Sequence, residues 1–213
     1  MATLIASASS STTSAPAPAG NHAARCVGMI QIGTVSEMFE GKPKLQHKVR
    51  LTFELPHELK EYKEGEGEKP ALVSKNYTLS MHEKATLRNH LESWRGKPFT
   101  DAEAAGFDIL VLLGKPCMLN VVHKTSKAGK EYAEIKAIAS LGKGMSCPDQ
   151  LTPSTVLTYD DFNWDVFDKL PSFIREDIES TPEFKALVRP GAAPAAKQAQ
   201  PEPVAAGDED LPF

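Results

Sequence analysis

Only three cysteines, Cys26, Cys117 and Cys147, occur among the 213 residues, and they stand far apart. No Cys-x-x-Cys pair or histidine at zinc spacing accompanies them, which argues against a disulfide framework or structural zinc and for free thiols in a reducing cytoplasm. No run approaches the roughly 20 apolar residues of a membrane-spanning helix. G-x-S-x-G, H-E-x-x-H and kinase signatures are missing, and Gly65-Glu66-Gly67 lacks the G-K-S/T of a phosphate loop. Asp160-Asp161 with Asp165 and Asp168 could be imagined as a metal cluster, but their Asn, aromatic and acidic surroundings mark a solvated segment. Neither enzyme activity nor a cofactor or metal is expected. Residues 1–24 hold no Lys, Arg, Asp or Glu. With no basic n-region and only Leu4-Ile5 as an apolar core, they read as a disordered leader rather than a signal peptide.

The net charge of −4 points away from nucleic acid, but it is unevenly spread. Residues 25–145 hold 19 basic and 15 acidic side chains, whereas 146–213 hold 5 and 13. A mildly basic body therefore carries an acidic tail.

Within the body, 25–33 read as a first strand. In 46–55, Val49, Leu51 and Phe53 alternate with Lys48, Arg50 and Thr52, the period-2 pattern of a half-buried strand. The Glu-, Lys- and Gly-rich stretch 56–70 reads as a solvated loop and 71–79 as a third strand. Ser80-x-x-Glu83 has the form of a capping box, followed by the helical stripe Leu87, Leu91, Trp94 and the stop signals Gly96 and Pro98. Thr100-x-x-Glu103 repeats the capping pattern and opens a shorter helical stretch towards Gly114. Strands over 117–124 and 131–140 are joined by a hairpin whose Gly129 supplies positive φ. Strand, strand, strand, helix, strand, strand is the order of the five-stranded OB-fold barrel, although other small β-barrels with an inserted helix share it. The fold class is therefore mainly β, with an OB domain over 25–145 and a helical insertion between strands three and four. Beyond it lie an acidic, aromatic-containing appendage over 146–189, with a short helix over 171–179, and a flexible linker over 190–207.

The chain ends in Asp208-Glu209-Asp210-Leu211-Pro212-Phe213. Together with the barrel order, this resembles the acidic tip of bacterial and phage single-stranded DNA-binding proteins, with Glu209 and Leu211 as mild departures. The helical insertion at 80–114 and Leu170-Pro171-Ser172-Phe173-Ile174 are more similar to phage-type members than to the tetrameric bacterial protein. The resemblance implies a protein that coats single-stranded DNA during replication, recombination or repair, in the bacterial cytoplasm if phage-encoded. It also implies recruitment of partner proteins through the tip, with homo-oligomerisation left open.

Read residue by residue, sequence-tolerant binding of a single strand needs cations for phosphates and aromatic faces for bases. The candidates are Lys48 and Arg50 on one face of strand two, Lys75 and Tyr77 on strand three, Lys124, Lys127 and Lys130 around the last hairpin, and Tyr132 and Lys136 on strand five. Tyr77 and Tyr132 read equally well as stacking platforms or as core residues with surface hydroxyls. Phe53 and Trp94 read as core, and His82, His90 and His123 show no ligand spacing. Residues 202–213 are expected to compete weakly with DNA for the basic groove. Single-stranded RNA binding and a protein-interaction adaptor without nucleic acid remain the alternatives.

Overall fold

The computed structural model describes residues 15–189 apart from 40, 63, 64 and 66. The leader's residues 1–14, the linker from 190 and the tip 208–213 lie outside the described residues. Apolar alternation organises the rest into β1 (Gly20–Phe39), β2 (Lys42–Glu61), β3 (Glu68–Thr78), β4 (Pro116–Thr125), β5 (Glu131–Ala139) and a short β6 (Thr155–Leu157). The helices are α1 (Thr86–Arg95), α2 (Asp101–Ala105), α3 (Trp164–Lys169), α4 (Ser172–Glu179) and α5 (Pro182–Lys185), with a 3-10 turn over Ile109–Leu112. Among the described residues no helix is long and apolar enough to cross a membrane.

The strands form one six-stranded, mainly antiparallel sheet in the order β3-β2-β1-β4-β5, and β6 adds to β1 in parallel. β1 is shared by two ladders, with Gly20–Arg25 paired to β4 and Arg25–Phe39 to β2. The end strands β3 and β5 share no ladder among the described residues. Across this seam the Lys75 ammonium donates to the Ile135 carbonyl at 2.6 Å.

Three sequence expectations change. β1 begins at Gly20, and Ala17 is already in the core, so the expected leader does not extend to residue 24. β2 runs on through 56–61, because Leu59, Lys60 and Glu61 pair with Pro70, Lys69 and Glu68 beyond a bulge. Ser80 and Glu83 do not cap α1. The Ser80 hydroxyl accepts from the His82 amide in a turn, and the helix starts after Ala85 without a side-chain cap. The second capping box forms as expected, with Thr100 and Glu103 each accepting from the other's backbone amide, but the helix it opens is short and the 3-10 turn follows separately. Arg95 and then Thr100 hold the Glu103 carboxyl down at about 2.

Two apolar cores lie on opposite faces of β1. One joins Met29, Leu51, Phe53, Val73, Leu119 and Ile135 to Leu87, Leu91 and Trp94 of α1. The other packs Ile30 and Ile32 against Leu157 and the helices of the appendage through Phe167, Leu170, Ile174 and Ile178. The aromatic residues of 159–184 thus belong mainly to packing, with Phe162 at the centre of a ring cluster. Gly33 makes this contact possible. Its φ is +108°, and a Cβ there would lie 2.9 Å from both the Tyr159 and Thr181 hydroxyls.

Polar clasps tie the start of the appendage to the sheet. The Arg25 guanidinium donates to the carbonyls of Pro148 (2.6 Å), Gly114 (2.9 Å) and Cys147 (3.1 Å). Glu54, fully buried, accepts from the amides of Leu151 (3.0 Å) and Thr152 (2.8 Å). Replacing Glu54 with Ala leaves two part-buried amides without this acceptor, and bonds to charged groups are worth roughly 1.5–3 kcal/mol each. Glu54→Ala is therefore expected to lower unfolding free energy by about 3 kcal/mol in denaturant titration; an unchanged midpoint would contradict the clasp.

All three cysteines are free thiols. Burial pushes Cys26 up from 9.0 to about 12 and moves Cys117 in the same direction, its neighbour Cys26 adding to the effect. Because these folded-state values are raised, the thiols' contribution is complete below the unfolded value and, for Cys26, declines as pH climbs from 9.0 towards about 12. At about pH 8 a disulfide exchange reagent should label half-buried Cys147 alone in the native protein, and all three after unfolding. Native labelling of all three would contradict the burial.

Candidate nucleic-acid interface

The register of β2 against β3 decides which side chains share a face. Lys48 is opposite Thr78 and Arg50 opposite Asn76, whereas Val49 is opposite Tyr77 and Leu51 opposite Lys75. The Lys48–Arg50 pair therefore lies on the outer face, and Lys75 with Tyr77 on the core-facing side. This corrects the stacking expectation for Tyr77, which is 2% exposed and belongs to the core. Its hydroxyl meets His90 Nδ1 at 2.9 Å. Burial, and then the Lys75 charge, pushes His90 down towards the neutral ring.

Over the open seam between β3 and β5 lies a groove of about 610 Å³. Arg50, Lys60, Lys75 and Lys130 line it together with Tyr62 and Tyr132. The two rings are 38% and 44% exposed, so each offers a face to solvent. Lys60 lies 5.7 Å from the Tyr62 ring centroid and donates to the Ala15 carbonyl. Ala15, Pro16 and Ala17 also line the groove, and His123 Nε2 meets the Ala17 carbonyl at 2.8 Å. Two carboxylates, Glu131 and Glu134, also line it. Glu134 is committed to cations. It pairs with Lys124 and, at 3.3 Å, with Lys75. Lys124, with Lys75 adding to it, holds its carboxyl below the usual range against opposing burial.

Lys75 and Asn76 also line a second groove of about 720 Å³, so the two are contiguous. This second groove carries Lys44, Lys48 and Lys84 with His47 and His82. Lys48 is partly engaged, its ammonium 2.8 Å from Glu37 and from Gln46 Oε1.

The structure thus brings Arg50, Lys75, Lys130 and Tyr132 to one groove and Lys48 to its continuation. Lys124, Lys127 and Lys136 are exposed but line neither. Lys60 and Tyr62 were hidden in the stretch that composition marks as loop; the aromatic next but one to a cation was their only signal. Among the described residues no group of three His, Cys, Asp or Glu side chains is arranged to hold a metal ion. In comparison with known proteins, the chain matches no protein-family model and no curated protein sequence.

Proposed function

We propose that the protein is a sequence-tolerant single-strand binder that coats single-stranded DNA without chemistry. The observation that carries this reading is the groove over the β3–β5 seam, where Lys60, Lys130 and Arg50 stand beside the exposed rings of Tyr62 and Tyr132. Cations neutralise phosphates and the tyrosine faces receive bases, the combination that sequence-tolerant binding requires. The strand order, with α1 between β3 and β4, supports an OB-type barrel whose β2–β3 surface carries the ligand. In this reading residues 208–213 recruit replication or recombination proteins, with Phe213 entering an apolar pocket of the partner and the acidic side chains meeting its cations.

The test is titration of the full chain with fluorescent oligo-dT and with duplex of equal length. Strong preference for the single strand is expected, with log affinity falling by about 0.7 per log unit of salt for each phosphate neutralised. Equal affinity for duplex, or no binding, would overturn the reading. A matched RNA competitor separates DNA from RNA specificity.

A further inference from the structure

A separate apolar pocket of about 360 Å³ lies between the outer face of the sheet and the appendage. Leu72 of β3 and Phe173 of α4 line it, 45% and 53% exposed. Large apolar side chains exposed together at a concave site mark a place where something binds. Arg50, Leu72 and Ser74 line both this pocket and the β3–β5 groove, so a strand leaving the groove meets the pocket directly.

Arg50 shows what chemistry is wanted. Its guanidinium donates to Asn76 Oδ1 at 2.9 Å and lies 5.5 Å from the Phe173 ring centroid. Neither partner carries negative charge. Burial pushes Arg50 down from its ordinary value, only partly offset by the Asp177 charge. A partly desolvated guanidinium held by a neutral amide is a cation ready for an anionic partner. Lys169, at the end of α3, adds a second cation to the lining. The Thr52 and Ser74 hydroxyls, 2.9 Å apart, supply polar groups next to Arg50.

We propose that this pocket is a nucleotide subsite, in which one base of a bound single strand stacks on Phe173 beside Leu72 and the adjoining phosphate lies between Arg50 and Lys169. This rests on the single-strand reading above and gives the appendage a part in binding. The volume, near the lower end of the ~300–1,000 Å³ usual for ligand pockets, suits a single ring system better than a folded peptide segment.

The experiment compares the full-length chain with its Phe173→Ala, Phe173→Trp and Lys169→Glu variants. Each is titrated with oligo-dT and with an abasic oligomer carrying the same phosphates. Phe173→Ala should weaken oligo-dT binding about tenfold and leave abasic binding unchanged, while Phe173→Trp restores wild-type affinity. Lys169→Glu should weaken both ligands. Unchanged oligo-dT affinity in Phe173→Ala overturns the subsite and leaves the groove reading standing. Equal losses for both oligomers overturn stacking. Tighter oligo-dT binding by Phe173→Ala would mean that the pocket holds an acidic apolar segment such as 208–213, and also overturns the subsite. A wild-type chain that binds no oligo-dT overturns the groove reading and this one with it.

Discussion

Joint charge reversal at Lys60 and Lys130 is expected to weaken oligo-dT binding about a hundredfold at ~0.1 M salt. Both line the β3–β5 groove next to its exposed tyrosines, and neither belongs to an apolar core. Each reversal removes a neutralised phosphate and adds a repulsive charge in a concave site, where the field is focused. The slope of log affinity against log salt should fall in magnitude by about 1.4, since each lost phosphate contributes ~0.7. The same double change at Lys127 and Lys136, exposed but outside both grooves, should cost much less. Fluorescence anisotropy across a salt series reads both quantities, and a thermal melt of each variant checks that the fold survives. Equal losses in the two pairs would mean that general basicity, not the groove, holds the strand.

Trp94→Ala has the largest expected effect on stability. The ring is buried, sits 5.7 Å from Phe53 between centroids, and donates through Nε1 to the Pro116 carbonyl at 2.9 Å. It thereby fastens α1 to both β2 and β4. Truncating a buried Trp typically costs about 3–5 kcal/mol through lost transfer energy and the cavity left behind. The Pro116 carbonyl would lose its donor as well. Since small domains keep only ~5–15 kcal/mol in total, a large part of the stability goes with this side chain. Denaturant titration followed by far-ultraviolet circular dichroism should show the midpoint fall with little change in slope. A loss under about 1 kcal/mol would contradict the packing assigned to α1.

The strands with clean alternation were legible from sequence because the buried face leaves a period-2 trace. Val49, Leu51 and Phe53 are core, and Lys48 and Arg50 face outward. The helical stripe was equally plain, and Leu87, Leu91 and Trp94 are the buried residues of α1. The same rule should have placed Tyr77 inside, since it shares parity with Val73, but its pairing with Lys75 made the face look polar. Lys75 sits there because its amine reaches the β5 carbonyl across the seam.

The groove itself was only half legible. Lys130 and Tyr132 follow from the hairpin, but Lys60 and Tyr62 come from a stretch whose Glu, Lys and Gly content reads as loop. The ladder continues there because a bulge between Leu55 and Leu59 restores pairing with Pro70 and Lys69, a tertiary event that leaves no periodic trace. The appendage shows a similar limit. Its aromatic residues stood out in the sequence, but their docking on β1 depends on Gly33, Arg25 and Glu54, partners about 100 or more residues away for the clasps. No local pattern encodes such contacts.

The most direct measurement is residue-resolved mapping of amide chemical shifts in the isotopically labelled full chain as oligo-dT is added. Shifts concentrated at Lys60, Tyr62, Leu72–Asn76 and Lys130–Tyr132 are the expected result, spreading to Lys48 and Thr78 along the contiguous second groove. Saturable binding whose shifts fall elsewhere, or no shifts at all, would contradict the assignment of the β3–β5 groove as the single-strand site.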